Sequence, residues 1–559
     1  MMARNRTPAR LLLLTLGLFA ATVRSSLAAD PPPAPKSSSN SLEQRIEAEL
    51  RTPGYERGHW GVLVVDAKTG RSIYERNADE FFAPASVTKL FTVASALAEL
   101  GPNHRFQTPV VRRGEIDSGG VLRGDLILIA RGDLCLGGRT GPDGTLLFHD
   151  DDHTYAGSGF KGGVVSTDPL AGLDHLAREI QAVGIKHVTG DVLIDDRLFR
   201  AEPTTGSGPS RVSPIVINDN LIDVFATPGA HAGEPGQVEL RPPTRFFSID
   251  PQVETIEAGE TPRLSVEEVG LRRLVVRGKL PVGHAKALRS HEVEEPAAFA
   301  RALFIESLRK RGVVVDASPL GVNNFAGLPP SDQLAKLAKV AEYTSPPFRE
   351  FVRVILKVSH NLHASTLPLL IAAKYGERTL EDGLRRQGKQ LQELGVDPGS
   401  VSFGGGAGGS RADFVTPRAT VSLLRTMLTR PDFPAFDVAL PILGRDGTLA
   451  KAVGPESPAR GHARAKTGTY WVENELTGKT LLTSKALAGY LDTASGRSLV
   501  FAFFVNNILL DAPRSGYSTA DATAEAGRLM GRLCEVFYGS DPDTSAPRSP
   551  KRSIGGGGQ

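Results

Sequence analysis

Ser86 and Lys89 stand three residues apart in Ala83-Pro84-Ala85-Ser86-Val87-Thr88-Lys89, ahead of the apolar run Leu90 to Leu100. On a helix that spacing puts both side chains on one face. A serine hydroxyl becomes a nucleophile when a base takes its proton, and a buried lysine with a lowered pKa can be that base. The amides of a first helical turn have no intrahelical partner and can hold a developing oxyanion. Ser359-His360-Asn361 sets a hydroxyl and a carboxamide two residues apart. On extended backbone both would point the same way, although Ser and Asn serve equally well as helix caps. Lys466-Thr467-Gly468-Thr469 offers a cation and hydroxyls to a carboxylate. Gly468 is a point where a substrate backbone can approach a strand edge. Each phrase alone is common: a solvated helix face, a cap and a strand-to-turn junction explain them as well.

Each phrase needs an element to hold it. The first reads as a helix start, with Pro84 at the first helical position and Gly101-Pro102 as the stop. It is apolar on most faces, as a buried helix is. Before it, Trp60–Asp66 and Arg71–Tyr74 flank Ala67-Lys68-Thr69-Gly70 as a hairpin. Ser359-His360-Asn361 separates the helices Pro347–Val358 and Leu362–Tyr375. Residues 402–411 form a glycine-rich loop, and the helix Arg418–Leu428 follows. Strands are predicted at Ala463–Val472, Leu487–Leu491 and Leu499–Val505, and a last helix at Thr519–Tyr538. Strands at both ends with helices between them predict one sheet built from both termini. The glycine-rich, short-stranded texture of 113–338 reads as an insertion, with a small β module at about 226–296.

The chain has 559 residues, enough for two or three domains. Residues 1–29 read as an export signal: Arg4, Arg6 and Arg10, then apolar Leu11–Val23, then Ser26-Leu27-Ala28. The apolar stretch is shorter than the roughly 20 residues of a spanning helix, so no transmembrane segment is expected in the mature chain. Residues 30–40 read as a linker and 539–559 as a disordered tail. With 65 basic and 62 acidic residues, the net charge of +3 gives no reason to expect nucleic acid. The two cysteines, Cys135 and Cys534, read as separate thiols, and without a CxxC no structural zinc is expected.

In the order S-x-x-K, S-x-N, K-T-G, the three phrases form the set of penicillin-binding proteins and class A β-lactamases. The chain resembles one family over roughly residues 42–538: the penicillin-binding protein 4 type D-alanyl-D-alanine carboxypeptidases/endopeptidases. Further stretches carry the likeness, among them Gly190-Asp191 with Asp195 and Phe199, Asn218-Asp219-Asn220, Ser345-Pro346-Pro347 and Asp446-Gly447-Thr448-Leu449. The resemblance implies an α/β (α+β) fold: a serine β-lactamase/transpeptidase-like domain, antiparallel sheet flanked by helices, from 41–112 and 339–538. The long insertion between the first two motifs is itself typical of that family. The resemblance further implies Ser86 as acylated nucleophile, Lys89 as its base, Ser359 as proton relay to the leaving amine and Asn361 as the group orienting Lys89 and the substrate amide. Lys466 would support Ser359 and attract the terminal carboxylate, and Thr467 would bond it. The amides of Ser86 and Thr469 would form the oxyanion hole. Substrates would be peptidoglycan stem peptides, β-lactams would be covalent inhibitors, and no cofactor or metal would be needed. The compartment would be periplasmic or extracytoplasmic.

Departures from the family pattern are His360 where Asp is frequent, Arg131-Gly132-Asp133-Leu134-Cys135-Leu136 with the long loop after it, and Gly404-Gly405-Gly406-Ala407-Gly408-Gly409-Ser410-Arg411. The last keeps Ser410 and Arg411, assigned to substrate binding, but has Gly405 and Ala407 in place of Asp and Ser. Within the long loop, His149 and His153 have metal-ligand types, but Phe148-His149-Asp150-Asp151-Asp152-His153 reads as a solvated acidic turn. Trp60 and Trp471 read as strand core. Two other functions share these motifs: a β-lactamase or esterase, and a non-catalytic peptidoglycan-binding homologue. A class A β-lactamase needs a Glu to activate its deacylating water. No Glu-x-x-Leu-Asn segment follows Asn361; Glu377 and Glu381 lie in a turn without it.

Overall fold

Both faces of the main sheet are apolar because its strands alternate two apolar sets. A computed structural model describes residues 41–157, 162–510 and 519–540; the export signal, the linker and the tail beyond Ser540 lie outside the described residues. Helix α1 is Leu42–Leu50, and the strands β1 (His59–Asp66) and β2 (Ser72–Arg76) form the expected hairpin. From the other end come β3 (Ala463–Asn474), β4 (Lys479–Asp492) and β5 (Ser498–Leu510). The sheet order is β3-β4-β5-β1-β2, antiparallel throughout. β1 and β5 pair from His59↔Asn506 to Asp66↔Leu499, so one sheet draws on both termini.

On one face Leu63, Val65, Val500, Ala502 and Phe504 join the core of α2 (Thr88–Leu100), α3 (Phe348–Lys357) and α4 (Asn361–Lys374). On the other, Val62, Val64, Phe501, Phe503 and Val505 pack with Leu42, Ile46 and Leu50 of α1 and Leu529, Met530 and Leu533 of α5 (Thr519–Tyr538). Each such buried Leu, Ile, Val, Met or Phe side chain contributes about 1.5–3 kcal/mol. Two-sided burial of this kind holds the edge strand β3 and helix α2 at fixed separation, which the site requires. Trp60 lies in this core, but Trp471 is 46% exposed. It lies beyond a register shift between Tyr470 and Trp471, where the β3–β4 ribbon runs on past the apolar core. Cys135 and Cys534 are both free and buried in different clusters.

The middle of the chain makes a second, mixed sheet. Its strands Gln107–Ile116 and Ala338–Thr344 lie side by side, antiparallel, so the chain enters and leaves this region at one place. The helices Ala171–Ala182 and Pro296–Lys310 pack on it. A three-stranded sheet, Ser248–Ile256, Arg263–Glu268 and Arg273–Pro281, lies within 226–296. Among the described residues no helix is long and apolar enough to cross a membrane.

Candidate active site

Ser86 is not on a regular α-helix. Residues Ala85–Val87 make one 3-10 turn, and α2 begins only at Thr88, where Pro84 was predicted to open it. The cause is Ala85, whose φ of +45° breaks helical continuity at a cost of about 1–2 kcal/mol. Neighbouring strands hold this turn. Ser484 Oγ on β4 donates to the Ala83 carbonyl at 2.7 Å, and Asn506 on β5 bonds both the Ala83 amide (2.8 Å) and carbonyl (3.2 Å).

The three-residue spacing still brings Ser86 and Lys89 together. Lys89 is fully buried, and its Nζ donates to Ser86 Oγ at 2.9 Å, Asn361 Oδ1 at 2.8 Å and the Ala407 carbonyl at 2.7 Å. Burial lowers its pKa from 10.5 to about 7, with Asp152 and Asp413 opposing the fall. A base of that pKa is half neutral near neutral pH and can accept a hydroxyl proton. Lys466 on β3 is equally buried; its Nζ donates to Ser359 Oγ at 2.9 Å and to the Thr467 carbonyl at 2.9 Å. Burial, with the like charges of Lys89 and Lys485, holds its pKa well below 10.5.

Ser359 and Asn361 converge by a different route from extended backbone. Ser359 has φ +64°, and Asn361 is already the first residue of α4. The cap residue is His360, whose ring turns away from the site into the middle region. Thus one left-handed residue and a helix start aim Ser359 at Lys466 and Asn361 at Lys89. Thr467 Oγ1 donates to Thr448 Oγ1 at 2.8 Å, and Thr469 Oγ1 accepts from Lys485 Nζ at 2.9 Å. Gly468 is required by internal packing: a Cβ there would lie 2.3 Å from the Pro84 carbonyl oxygen. That close approach seats β3 against the Ser86 turn.

The glycine-rich loop threads between this turn and α4. A Cβ on Gly406 would lie 2.2 Å from the Ala364 carbonyl oxygen, and one on Gly408 1.9 Å from that of Ala85. Ala407 contributes its carbonyl to Lys89, so the identity of its side chain is secondary. Gly405 leaves room for Thr205, whose Oγ1 would be 2.1 Å from a Cβ. Ser410 and Arg411 are not brought to the Ser86–Lys89 pair by any contact seen here. The Ser410 hydroxyl accepts from the Ala412 amide at 3.1 Å within the loop, and Arg411 is exposed. Gly408→Ala, at φ +91°, should displace the Ser86 turn. If Ser86 is the acylated group, as proposed below, its acylation by a reactive probe should slow about tenfold or more. Gly454→Ala, with open space around its Cβ, should leave the rate unchanged.

The long loop after Asp133 corrects the sequence reading. His149, Asp150 and Asp151 are exposed, but Asp152 and His153 are buried. Asp152 Oδ2 accepts the Asn361 amide at 2.7 Å, and its Oδ1 accepts the Thr154 amide at 3.0 Å. Tyr155 OH lies 3.4 Å from Asn361 Nδ2. His153 bridges two carboxylates, Nδ1 to Asp219 at 2.7 Å and Nε2 to Asp223 at 2.8 Å. Asp219 also pairs with Arg139 and with His363 Nε2 at 3.1 Å. Asn218, Asp219 and Asn220 all have positive φ, which Asn and Asp tolerate best. Composition alone gave no sign of this burial: an Asp- and His-rich loop reads as solvated until partners of opposite charge, distant in sequence, close around it.

Asp219, His360 and His363 bring donor atoms within 4.8 Å of one another, a spacing open to a metal ion. The Arg139 guanidinium already stands on Asp219 and against His360 Nε2, at 3.2 Å from the latter. It supplies the positive charge a metal would bring, and the cluster forms an ion-pair network. Sequence reasoning missed Asp152, Asp413, Tyr155, Ser484, Asn506 and the Ala407 carbonyl. Asp413 braces the glycine loop by accepting the Gly404 and Ser410 amides, each at 2.8 Å. Burial raises its pKa to about 6. Thr448 had a signal, in the phrase Asp446-Gly447-Thr448-Leu449.

Known proteins resemble this chain over most of its length. The profile of the D-Ala-D-Ala carboxypeptidase 3 (S13) family matches residues 42–526. A D-alanyl-D-alanine carboxypeptidase of Actinomadura sp. (strain R39) is 31% identical over 494 residues, covering 83% of this chain and 81% of its own length. The D-alanyl-D-alanine carboxypeptidase DacB of Haemophilus influenzae is 25% identical over 494 residues, 85% of this chain and 88% of its own. The crystal structure of penicillin binding protein 4 (dacB) from Haemophilus influenzae superposes with a TM-score of 0.64 at 21% identity. It covers 89% of this chain and 99% of that one, a likeness of fold.

Proposed function

The chain belongs to the D-Ala-D-Ala carboxypeptidase 3 (S13) family, and from that premise we propose that it is an acyl-serine D-alanyl-D-alanine carboxypeptidase with Ser86 as nucleophile. The observation that carries the roles is the buried Lys89, bonded to Ser86 Oγ at 2.9 Å and lowered to about 7 by burial. Lys89 in its neutral form takes the Ser86 proton as Oγ attacks the carbonyl of the penultimate D-alanine. The amides of Ser86 and Thr469 stabilise the oxyanion. The C–N bond breaks, Ser359 relays the proton held by Lys89 to the leaving amine and regains its own, and the terminal D-alanine departs. Water then hydrolyses the acyl-enzyme. Asn361 orients Lys89, as its 2.8 Å bond suits it to do. Lys466 and Thr467 receive the terminal carboxylate. Cleavage of peptide cross-links would use the same acyl-enzyme.

Residues 1–29 support export to the compartment that holds peptidoglycan stem peptides. In this proposal residues 113–338 form an inserted domain between the two parts of the catalytic domain, 41–112 and 339–538. Labelling with a fluorescent penicillin tests the assignment. The native protein should form a stable covalent adduct and release D-alanine from an acyl-D-Ala-D-Ala peptide, while Ser86→Ala should do neither. Equal labelling of both would remove Ser86 from its role, and rapid turnover of the penicillin would point to a β-lactamase instead.

A further inference from the structure

We infer that Asp152, in the segment 137–157, is a positioning residue of the acylation step, holding Asn361 and through it Lys89. This rests on the carboxypeptidase reading above. The geometry is specific. The carboxylate is 5% exposed and meets two N–H donors, Asn361 at 2.7 Å and Thr154 at 3.0 Å, one on each oxygen. Asn361 in turn accepts from Lys89 Nζ at 2.8 Å. Two short bonds, one to the main-chain N–H of Asn361 and one from its side-chain oxygen, therefore link the loop to the base that would activate Ser86.

The loop is fixed where this requires. His153, next in sequence, is clamped between Asp219 and Asp223, and Tyr155 OH lies beside Asn361 Nδ2. The charge matters as well as the bond. Asp152 is the first of the two carboxylates that oppose the lowering of Lys89 by burial; Asp413 is the second. Burial alone would raise Asp152, but His360, the Asn361 and Thr154 amides and Lys89 together keep it below its ordinary value and therefore ionised. The other charged groups facing Asp152 and Lys89 are Arg139 and Lys466.

Asp152→Asn separates this role from mere packing. A carboxamide has one acceptor oxygen for two N–H donors, so either Asn361 or Thr154 loses its partner. We expect the penicillin acylation rate constant at neutral pH to fall by about tenfold or more. With the negative charge gone, Lys89 loses its proton more easily, so the acid limb of the pH–rate profile should move down by about one pH unit. Asp152→Glu keeps the charge but displaces the oxygens. It should lower the rate while leaving the acid limb in place, and it carries the test if Asp152→Asn fails to fold. A purely structural role would lower stability without moving the limb. Either variant acylating at the native rate, or an unmoved limb in a folded Asp152→Asn, overturns the inference. Failure of the native protein to label, or labelling of Ser86→Ala, is a distinct result that strikes the carboxypeptidase reading itself.

Discussion

Lys89→Met should lower acylation by penicillin by about three orders of magnitude or more, since under the proposed mechanism it removes the base in contact with Ser86. Methionine fills the same volume without a charge. Removing a buried ammonium relieves a desolvation penalty, while the Asn361 and Ala407 oxygens lose a donor at about 1–3 kcal/mol each. These effects oppose one another, so the melting temperature should move little, and a lost rate would not be a lost fold. The native enzyme carries a companion signature. Lys89 must be neutral to accept a proton, and burial sets its pKa at about 7. The acylation rate should therefore fall as pH drops through about 7, far below where an exposed lysine would titrate. Rates measured from pH 5 to 9 check this. A rate that does not change across that range, or a methionine variant labelled at the native rate, would remove Lys89 as the base.

Asp219→Ala should lower stability by about 3–5 kcal/mol, because it strands buried cations. Asp219 is 2% exposed and pairs with Arg139, His153 and His363. Without it, Arg139 keeps its charge at 6% exposure with no carboxylate bonded to it. The cluster also shapes the pH dependence. Burial pulls His153 down, but Asp223 and Asp219 outweigh it and hold the pKa near 9. Its contribution is thus complete below about 6.5 and is lost as pH rises towards 9. Burial, then His360, lowers His363 to about 3. The unfolded chain protonates this residue below about 6.5 while the native state does not, so stability falls with acid from there. Asp219 itself, held well below 3.8 by Arg139 and His360 against burial, adds a further loss at low pH. Together these groups place maximum stability near pH 6.5, and chemical denaturation from pH 4 to 9 should trace it. In Asp219→Ala the maximum should flatten.

Much of the protein was legible in its residues. The spacing of Ser86 and Lys89, the apolar strand runs of β1 and β5, and the stops at Gly101 and Tyr538 depend on neighbours close in sequence. Local steric and periodic rules act at that range, which is why the two-ended sheet and most helix positions could be read directly. What they could not give was the backbone at Ala85 and Ser359, both left-handed because distant segments hold them so. Nor could they show that Trp471 is exposed, that Ser410 bonds within its own loop, or that Asp152 and His153 are buried. The burial of Asp152 and His153 turns on which charges and amides meet across separations of 66 to 209 residues. A carboxylate lies in the interior only when cations and amides of other segments close around it, and that closure is a property of the folded chain alone.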